Sequence, residues 1–314
     1  MNRCVQKSID RIAETYILRI FQVDAFTDKR FTGNPASVIL DADGHSDITL
    51  MSIAREFPHA EVAFVFAATS ANHDVRLRFF NARKEAPFVG HATVAAHTVL
   101  LAVGRRGSGL CRQHSGTGVI EIMAQDSMIE FRQTTPDLDC PLPLKTTLRV
   151  AEALHLPATQ LHESMPARIA RKGSNRLLVP ISDPRALDSL TPNFESLTAL
   201  GAELGTDGFF VFALTRADDT LSTESRMFCP ALGIPEDPVS GNAHAMLATY
   251  LWECGQIGQI GQIGKETKDF IGYQGRQMRR PGQVNVRIEI DQGKLIAAHV
   301  GGKAVIVSEG TLTI

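Results

Sequence analysis

Two stretches of the sequence repeat each other and decide the fold: PFVGHATVAAHTVLLAVG (residues 87–104) and PVSGNAHAMLATYLWECG (residues 238–255). They align without a gap, and the first proline, the glycine in the fourth position and the closing glycine all match. Each copy predicts a proline-containing turn after a strand, a glycine that permits a tight bend, and a helix of small and apolar residues. The closing glycine is a typical helix end. The repeat therefore predicts two halves of similar structure.

The two predicted helix starts are candidate binding elements. Gly90 and His91 begin the first helix, and Gly241 and Asn242 begin the second. The first backbone N–H groups of a helix lack partners within the helix and carry a partial positive charge. Two such starts that face each other would hold a carboxylate or a phosphate. The alternative is that both glycines only serve turns, but two matched copies favour a shared anion-binding cleft.

Other segments place these helices among strands. VRLRFF (residues 75–80) alternates apolar and polar side chains, which predicts a half-buried strand. Residues 136–143 carry three prolines and predict a linker between the halves. Helices are expected near residues 150–156 and 194–204. GQIGQIGQIG (residues 255–264) repeats a tripeptide, and its regular glycines favour an expanded surface loop over a helix.

Composition excludes several classes of protein. The chain has 314 residues and a formal net charge of -2, with no basic stripe, so we expect no nucleic-acid partner. No apolar run reaches the roughly 18 residues that a membrane span needs, so we expect no membrane partner. Residues 1–16 lack the apolar core of a signal peptide and are interpreted as an N-terminal extension.

Cysteine and histidine spacing argues against a disulfide framework and against a metal site. The five cysteines are widely spaced and form no CxxC motif, which suits a reducing cytoplasm. His59, His97 and His244 suggest metal ligands by their residue type, but they form no HExxH or comparable motif. We therefore expect no bound metal.

Four ordered blocks of the sequence resemble a known family. They are FQVDAFTDKRFTGNPASV (residues 21–38), HAEVAFV (residues 59–65), EAPFVGHATVAAH (residues 85–97) and MFCPALGIPEDPVSGNAHAMLATYL (residues 227–251). Together they resemble the signature blocks of the PhzF-like family of phenazine biosynthesis. A single GNPA or EDP motif would not be specific, but four blocks in order are.

The resemblance implies an α+β fold like that of diaminopimelate epimerase, with two pseudo-symmetric halves that are each a curled mixed sheet around a central helix. The implied halves are residues 17–135 and residues 136–300. The last strand, at about residues 301–314, returns to the first half. The family also implies a homodimer.

The resemblance further implies an isomerase that moves a proton and shifts a double bond on a small carboxylate-bearing substrate, in the cleft between the halves. The family's reactions need no metal, flavin or nucleotide, so we expect no cofactor. Carried over by motif, the family's catalytic glutamate is Glu61, its histidine is His91 and its aspartate is Asp237. Asn242 stands where the family has serine.

Elementary chemistry supports these roles but leaves alternatives open. Burial would raise the pKa of Glu61 and make it a general base, whereas a strand-edge glutamate would face water. Asp237 would share acid and base work with it, or would serve only a turn. His91 would donate to a carboxylate, or would face solvent. Asn34 would orient polar groups of the substrate, or would serve a turn before proline.

Because the sequence departs from the family pattern at some positions, functions other than the implied isomerase remain open. An amide at Asn242 can hold a substrate by hydrogen bonds but cannot relay a proton as a hydroxyl can. Arg279-Arg280-Pro281-Gly282 stands where the family usually has Gly-Arg-Pro-Ser. A binding protein that keeps the cleft without turnover and an epimerase of the same fold therefore remain alternatives. A two-thiol racemase is disfavoured because neither helix start carries a cysteine.

Overall fold

The computed structural model describes residues 16–57, 61–217, 220–258 and 269–314. Its helices are α1 (Asp47–Arg55), α2 (Gly90–Ala102), α3 (Leu144–Ala153), α4 (Ala186–Ser189), α5 (Phe194–Leu204) and α6 (Gly241–Glu253). Its strands are β1 (Ile17–Ala25), β2 (Asn34–Ile39), β3 (Val62–Phe66), β4 (Val75–Phe80), β5 (Glu85–Ala86), β6 (Gly109–Ser115), β7 (Gly118–Gln125), β8 (Met128–Thr134), β9 (Asp137–Leu138), β10 (Arg168–Arg171), β11 (Arg176–Ile181), β12 (Gly208–Ala217), β13 (Thr220–Cys229), β14 (Ile234–Asp237), β15 (Asp269–Gln274), β16 (Gly282–Asp291), β17 (Lys294–Gly302) and β18 (Ala304–Thr313).

The strands of the two halves pair in the same order. In the first half, β1–β2 is antiparallel, β2–β3 parallel, β3–β4 antiparallel and β4–β6 parallel, and β6, β7 and β8 continue antiparallel. The second half repeats this sequence from β10 through β11, β12, β13, β15 and β16 to β17. Parallel neighbours need crossover connections, and helices lie in each of them. The expected α+β fold of two pseudo-symmetric halves is confirmed.

One strand pairing joins the halves directly, because β8 of the first half pairs antiparallel with β17 of the second. β9, which follows β8 along the chain, pairs with β10 of the second half, and β18, which follows β17, pairs with β1 of the first half along its whole length. The chain therefore crosses from the first half to the second after β8 and returns after β17. Because these pairings connect all the strands into one network, the boundaries at residues 135 and 300 stay a prediction.

The repeated helices α2 and α6 form the centres of the two halves. Eight of the thirteen residues of α2 and ten of the thirteen residues of α6 are buried. A helix that is apolar on all sides must be covered on all sides. The curled strands provide that cover, and the two helices also contact each other.

The bounds of one expected helix were wrong, and one expected linker has a regular element. The helix expected near residues 150–156 begins at Leu144 and ends at Ala153. Thr147 is buried with Val150 and Ala151 at helical spacing, so a threonine takes an apolar position and hides the first turn from a hydrophobicity pattern. The expected linker at residues 136–143 contains the short strand β9.

Some predictions fall outside the described residues. These are the extension at residues 1–16, apart from Tyr16, and the glycine repeat from residue 259 onward. In the part of the chain that the structure describes, no helix is both long enough and apolar enough to cross a membrane.

A buried ion pair stabilises the turn that leads into α6, the second central helix. Arg226 on β13 makes a bidentate pair with Glu236 on β14, at 2.9 and 2.8 Å. Its Nη1 also donates to the backbone oxygens of Leu187 and Leu190, at 2.8 and 3.0 Å. Both charged side chains are almost enclosed, at 9% and 14% exposure. The guanidinium therefore depends on Glu236 for its charge balance.

We expect Glu236→Ala to lower the free energy of unfolding by about 3–5 kcal/mol, because it leaves Arg226 buried and uncompensated. The matched control is Glu203→Ala, which breaks the exposed pair between Arg149 and Glu203. That change should cost about 0–1 kcal/mol. Urea unfolding of the two variants measures both values, and equal losses would contradict the assignment.

Candidate active site

Asp237 lies at the junction of the two halves and is held from both. Asn34, the first residue of β2, donates its Nδ2 to Asp237 Oδ1 and to the Val239 backbone oxygen, both at 2.8 Å. Gln274, at the end of β15, donates to the Asp237 backbone oxygen at 2.6 Å. Gln274 also accepts the Ser240 N–H at 3.0 Å. These bonds fix the segment that enters α6 against the first half.

Glu61 immediately precedes β3 in the first half and is partly buried. Burial raises the pKa of its carboxyl group, and the nearby Asp237 carboxylate raises it further, to about 7, against the opposing charges of Arg176 and Lys84. A carboxyl group that titrates near neutral pH can both take and return a proton. This environment does not match the alternative of a solvated strand-edge glutamate.

The pKa of the Asp237 carboxyl group is also raised above its ordinary value. Burial raises its pKa, while Arg176 and hydrogen bonds from Asn34, Val239 and Ser240 act in the opposite direction. The Asp237 carboxylate raises the pKa of Glu61, because two neighbouring negative charges cannot both form without cost. The halves thus bring Glu61 and Asp237 into one electrostatic unit.

Arg176 is a further charged residue near the two carboxyl groups that we did not predict from the sequence. It begins β11, is 8% exposed, and donates through Nη1 to Ser174 Oγ at 2.6 Å and to the Asn175 backbone oxygen at 3.0 Å. Its charge is the largest influence that lowers the pKa of Glu61 and of Asp237. A charged residue at the head of the apolar run LLVPI was the signal that could have identified it.

The two glycine helix starts converge on one face of the joined sheets. A Cβ atom at Gly90 would lie 3.0 Å from Phe131 Cζ, and one at Gly241 would lie 3.4 Å from Val300 Cγ1 and 2.8 Å from Phe26 Cζ. Phe131 on β8 and Val300 on β17 are directly opposed partners. Opposed side chains of antiparallel strands share a face and lie about 5 Å apart. The starts of α2 and α6 therefore rest on neighbouring side chains.

The second residue of each central helix also lies at this convergence. His91 and Asn242 are both partly buried. Asn242 Oδ1 accepts a hydrogen bond from Gln133 Nε2 at 2.6 Å, so the start of α6 is tied to β8 of the other half. The shared anion-binding cleft at the two helix starts stays a prediction.

Comparison with known proteins identifies the family. The model for phenazine biosynthesis-like proteins, named PhzC-PhzF, matches residues 23–310. The chain belongs to this PhzF-like family. The uncharacterised isomerase YddE of Escherichia coli K12 is 34% identical over 293 residues, which are 92% of this chain and 96% of YddE. An uncharacterised isomerase of Clostridium acetobutylicum is 31% identical, over 94% of this chain and 98% of its own length.

A solved PhzF-family structure has the same fold. The phenazine biosynthesis protein of Bacillus anthracis superposes with a TM-score of 0.82 at 25% identity, covering 95% of this chain and all of that one. Together with the curated relatives, this makes the chain an isomerase of the PhzF-like family.

One departure from the PhzF-like pattern has a structural account. Arg279, at the position of the family's glycine, has φ +57° and so adopts a left-handed conformation that glycine tolerates best. Arg280 links the loops of the two halves, because it donates to Asp24 Oδ1 at 2.5 Å and to the backbone oxygens of Gly33 and Thr32 at 2.9 Å. The segment therefore keeps its turn and its contact between the halves.

Two further histidines and one cysteine of the PhzF-like blocks are buried, which suits a structural role. His97 Nε2 donates to Gln113 Oε1 at 2.9 Å, and His244 Nδ1 donates to the Ser240 backbone oxygen at 2.7 Å. Burial lowers the pKa of His97 to about 3 and that of His244 to about 4, so both are neutral at pH 7. Burial raises the pKa of Cys229 to about 12, so it is a thiol rather than a thiolate. His59 lies outside the described residues, and no cluster of three potential metal ligands occurs within them.

We expect Gly241→Ala to destabilise the protein by about 1–3 kcal/mol, because its Cβ would press on the fully buried ring of Phe26. The control is Gly107→Ala. A Cβ there meets no atom within 4 Å, so the free energy of unfolding should change by less than about 0.5 kcal/mol. Urea unfolding measures the difference. An unchanged Gly241→Ala protein would show that the helix start is not packed closely.

The pKa of Glu61 predicts how stability depends on pH. The pKa is about 4.5 in the unfolded chain and about 7 in the folded one. Between these values the folded state holds more protons than the unfolded state, so this carboxyl makes stability fall as pH rises. Glu61→Gln should flatten the fall between pH 5 and pH 8 in urea unfolding, whereas the exposed control Glu163→Gln should keep the wild-type slope. Parallel slopes for all three proteins would refute the raised pKa.

Proposed function

We propose that this protein is a cofactor-independent isomerase that moves a proton, and with it a double bond, on a small carboxylate-bearing substrate. The reaction takes place in the cleft between the halves by general acid and base catalysis. The observation that carries the proposal is that Glu61 and Asp237, which come from different halves, both have carboxyl groups with a raised pKa, and that the Asp237 carboxylate contributes to the shift of Glu61. Such a pair can hold one proton at neutral pH and exchange it with a substrate.

The proposed reaction is a 1,3-shift of one proton. The ionised form of Glu61 removes a proton from a carbon atom next to the substrate's double bond, and the electron pair of that C–H bond becomes part of a conjugated anion. A proton then returns to the far end of the former double bond. No atom and no electron is gained or lost, so the reaction needs no co-reactant.

The helix starts are proposed to bind the substrate carboxylate. Negative charge grows on that carboxylate as the proton leaves, and preorganised N–H donors stabilise developing charge in a site closed to water. Backbone donors at Gly90 and Gly241 carry no formal charge, so they bind an anion without adding a cation beside Glu61. His91, at the start of α2, is proposed to donate to the bound carboxylate or to return the proton.

Asn34 takes a positioning role in this proposal. Its amide nitrogen donates both of its hydrogens within the protein, to Asp237 and to Val239. It therefore acts on the substrate through the carboxyl group that it orients. The homodimer and the cytoplasmic location stay predictions.

The test is solvent-deuterium incorporation into a panel of unsaturated and cyclic carboxylates, followed by NMR. We expect the wild-type protein to exchange at least one compound and to shift its double bond. Glu61→Gln should lower the rate by about 10²–10⁴, because it removes a positioned base, while Glu163→Gln should leave the rate unchanged. Deuterium uptake with inversion and no double-bond shift would indicate an epimerase. Absence of exchange throughout a broad panel would favour a binding protein.

A further inference from the structure

Gln133 is a polar residue in a row of apolar side chains beneath the helix starts. Ile129 and Phe131 precede it on the same face of β8, and both are fully buried. Its partner across the sheet is the buried Ala298 of β17. A leucine or methionine would suit this position better, because an amide buried without all its hydrogen bonds costs free energy.

Only one of the two polar atoms of the Gln133 side chain has a hydrogen-bond partner among the described residues. Its Nε2 donates to Asn242 Oδ1, while its Oε1 is buried and has no hydrogen-bond partner among the described residues. Unsatisfied buried polar atoms are rare in native proteins and call for an explanation. Hydrogen bonding within the described residues therefore does not fully account for an amide at this position.

The hydrogen bond fixes the orientation of Asn242. Since Asn242 Oδ1 accepts from Gln133, the Nδ2 group of Asn242 points the other way. Within the described part of the chain, the structure records no protein acceptor for this Nδ2. Asn242 is the second residue of α6 and is partly exposed, so its two free N–H bonds lie beside the backbone donors of the helix start.

We propose that Gln133 is a positioning residue that holds the Asn242 amide with its N–H bonds toward the bound carboxylate. Asn242 then adds a third neutral donor to those of the two helix starts, and the site selects groups that only accept hydrogen bonds. This inference rests on the proposed function for the nature of the ligand. Its test is independent of turnover.

The test uses acetate as the probe and the side-chain NH₂ signals of Asn242 in ¹⁵N NMR spectra. The signals are assigned by their loss in Asn242→Ser. We expect them to shift as acetate is added to the wild-type protein at pH 8. Gln133→Met, which keeps the size and removes the donor, should raise the acetate Kd about tenfold and should not lower stability. The control Gln125→Met, an exposed glutamine on the adjacent strand β7, should leave the Kd unchanged.

Gln133→Glu tests the orientation of the Asn242 amide more directly than Gln133→Met does. An ionised glutamate can only accept, so it draws the N–H bonds of Asn242 toward itself and turns Oδ1 toward the ligand. Acetate binding should then be weaker than in Gln133→Met, although the side chain is nearly the same shape. A Gln133→Glu protein that binds acetate as tightly as the wild type would overturn the proposal. So would Asn242 signals that do not respond to acetate.

Two further measurements separate positioning from a general structural role. In an Asn242→Ser background, Gln133→Met should change the acetate Kd by less than about twofold, because the partner is already gone. With a substrate that exchanges deuterium, Gln133→Met should act mainly on KM and leave the pH midpoint set by Glu61 in place. Equal effects in both backgrounds would contradict the proposal. Failure of exchange alone would count against the proposed function and not against the role of Gln133.

Discussion

The pairing of β8 with β17 is the constraint on which the site depends. It sets Phe131 of the first half opposite Val300 of the second, and the glycines that start α2 and α6 rest on these two side chains. A shift of one residue in this register would turn one of the two side chains to the other face of the sheet. The helix starts would then lose their common support, and with it the arrangement that the proposed function requires.

The two halves repeat their strand pairing but not their chemistry. Glu61 precedes β3, and the corresponding position before β12 is Asp207, which is occupied in a turn by the backbone N–H of Asn175 at 2.8 Å. Asp237 ends β14, whereas Ala86 ends the corresponding strand β5. The duplicated features, namely the helix starts, suit the symmetric task of binding a carboxylate. In the proposed function the unduplicated carboxyl groups exchange a single proton, which suits a proton shift better than a symmetric two-base inversion.

Local features of this site could be predicted from the sequence, and long-range partners could not. The helix starts at Gly90 and Gly241 were predictable because a proline turn, a glycine and an apolar run lie within a few residues of one another. The resemblance gave Glu61 and Asp237 their roles. Arg176 and Gln133 were missed, because each lies in a strand that by itself is an ordinary amphipathic or apolar run. Their importance arises from distant residues that the fold places beside them.

In the proposed function, the groups that donate hydrogen bonds to the substrate carboxylate are neutral, and this affects the strength of Glu61 as a base. A carboxylate substrate adds negative charge near Glu61, which would raise the pKa of Glu61 above about 7 and favour its protonated form. A lysine or arginine in place of Asn242 would bind the substrate strongly but would lower that pKa and weaken Glu61 as a base. In the proposed function the helix starts and an amide bind the anion with partial charges only, so the opposing positive charges near Glu61 are those of Arg176 and Lys84. Because Arg176 is buried and bonded to Ser174 and Asn175, we expect its charge to stay in place whether or not substrate is bound. In the proposed function, substrate binding and the strength of the base are therefore set by different residues.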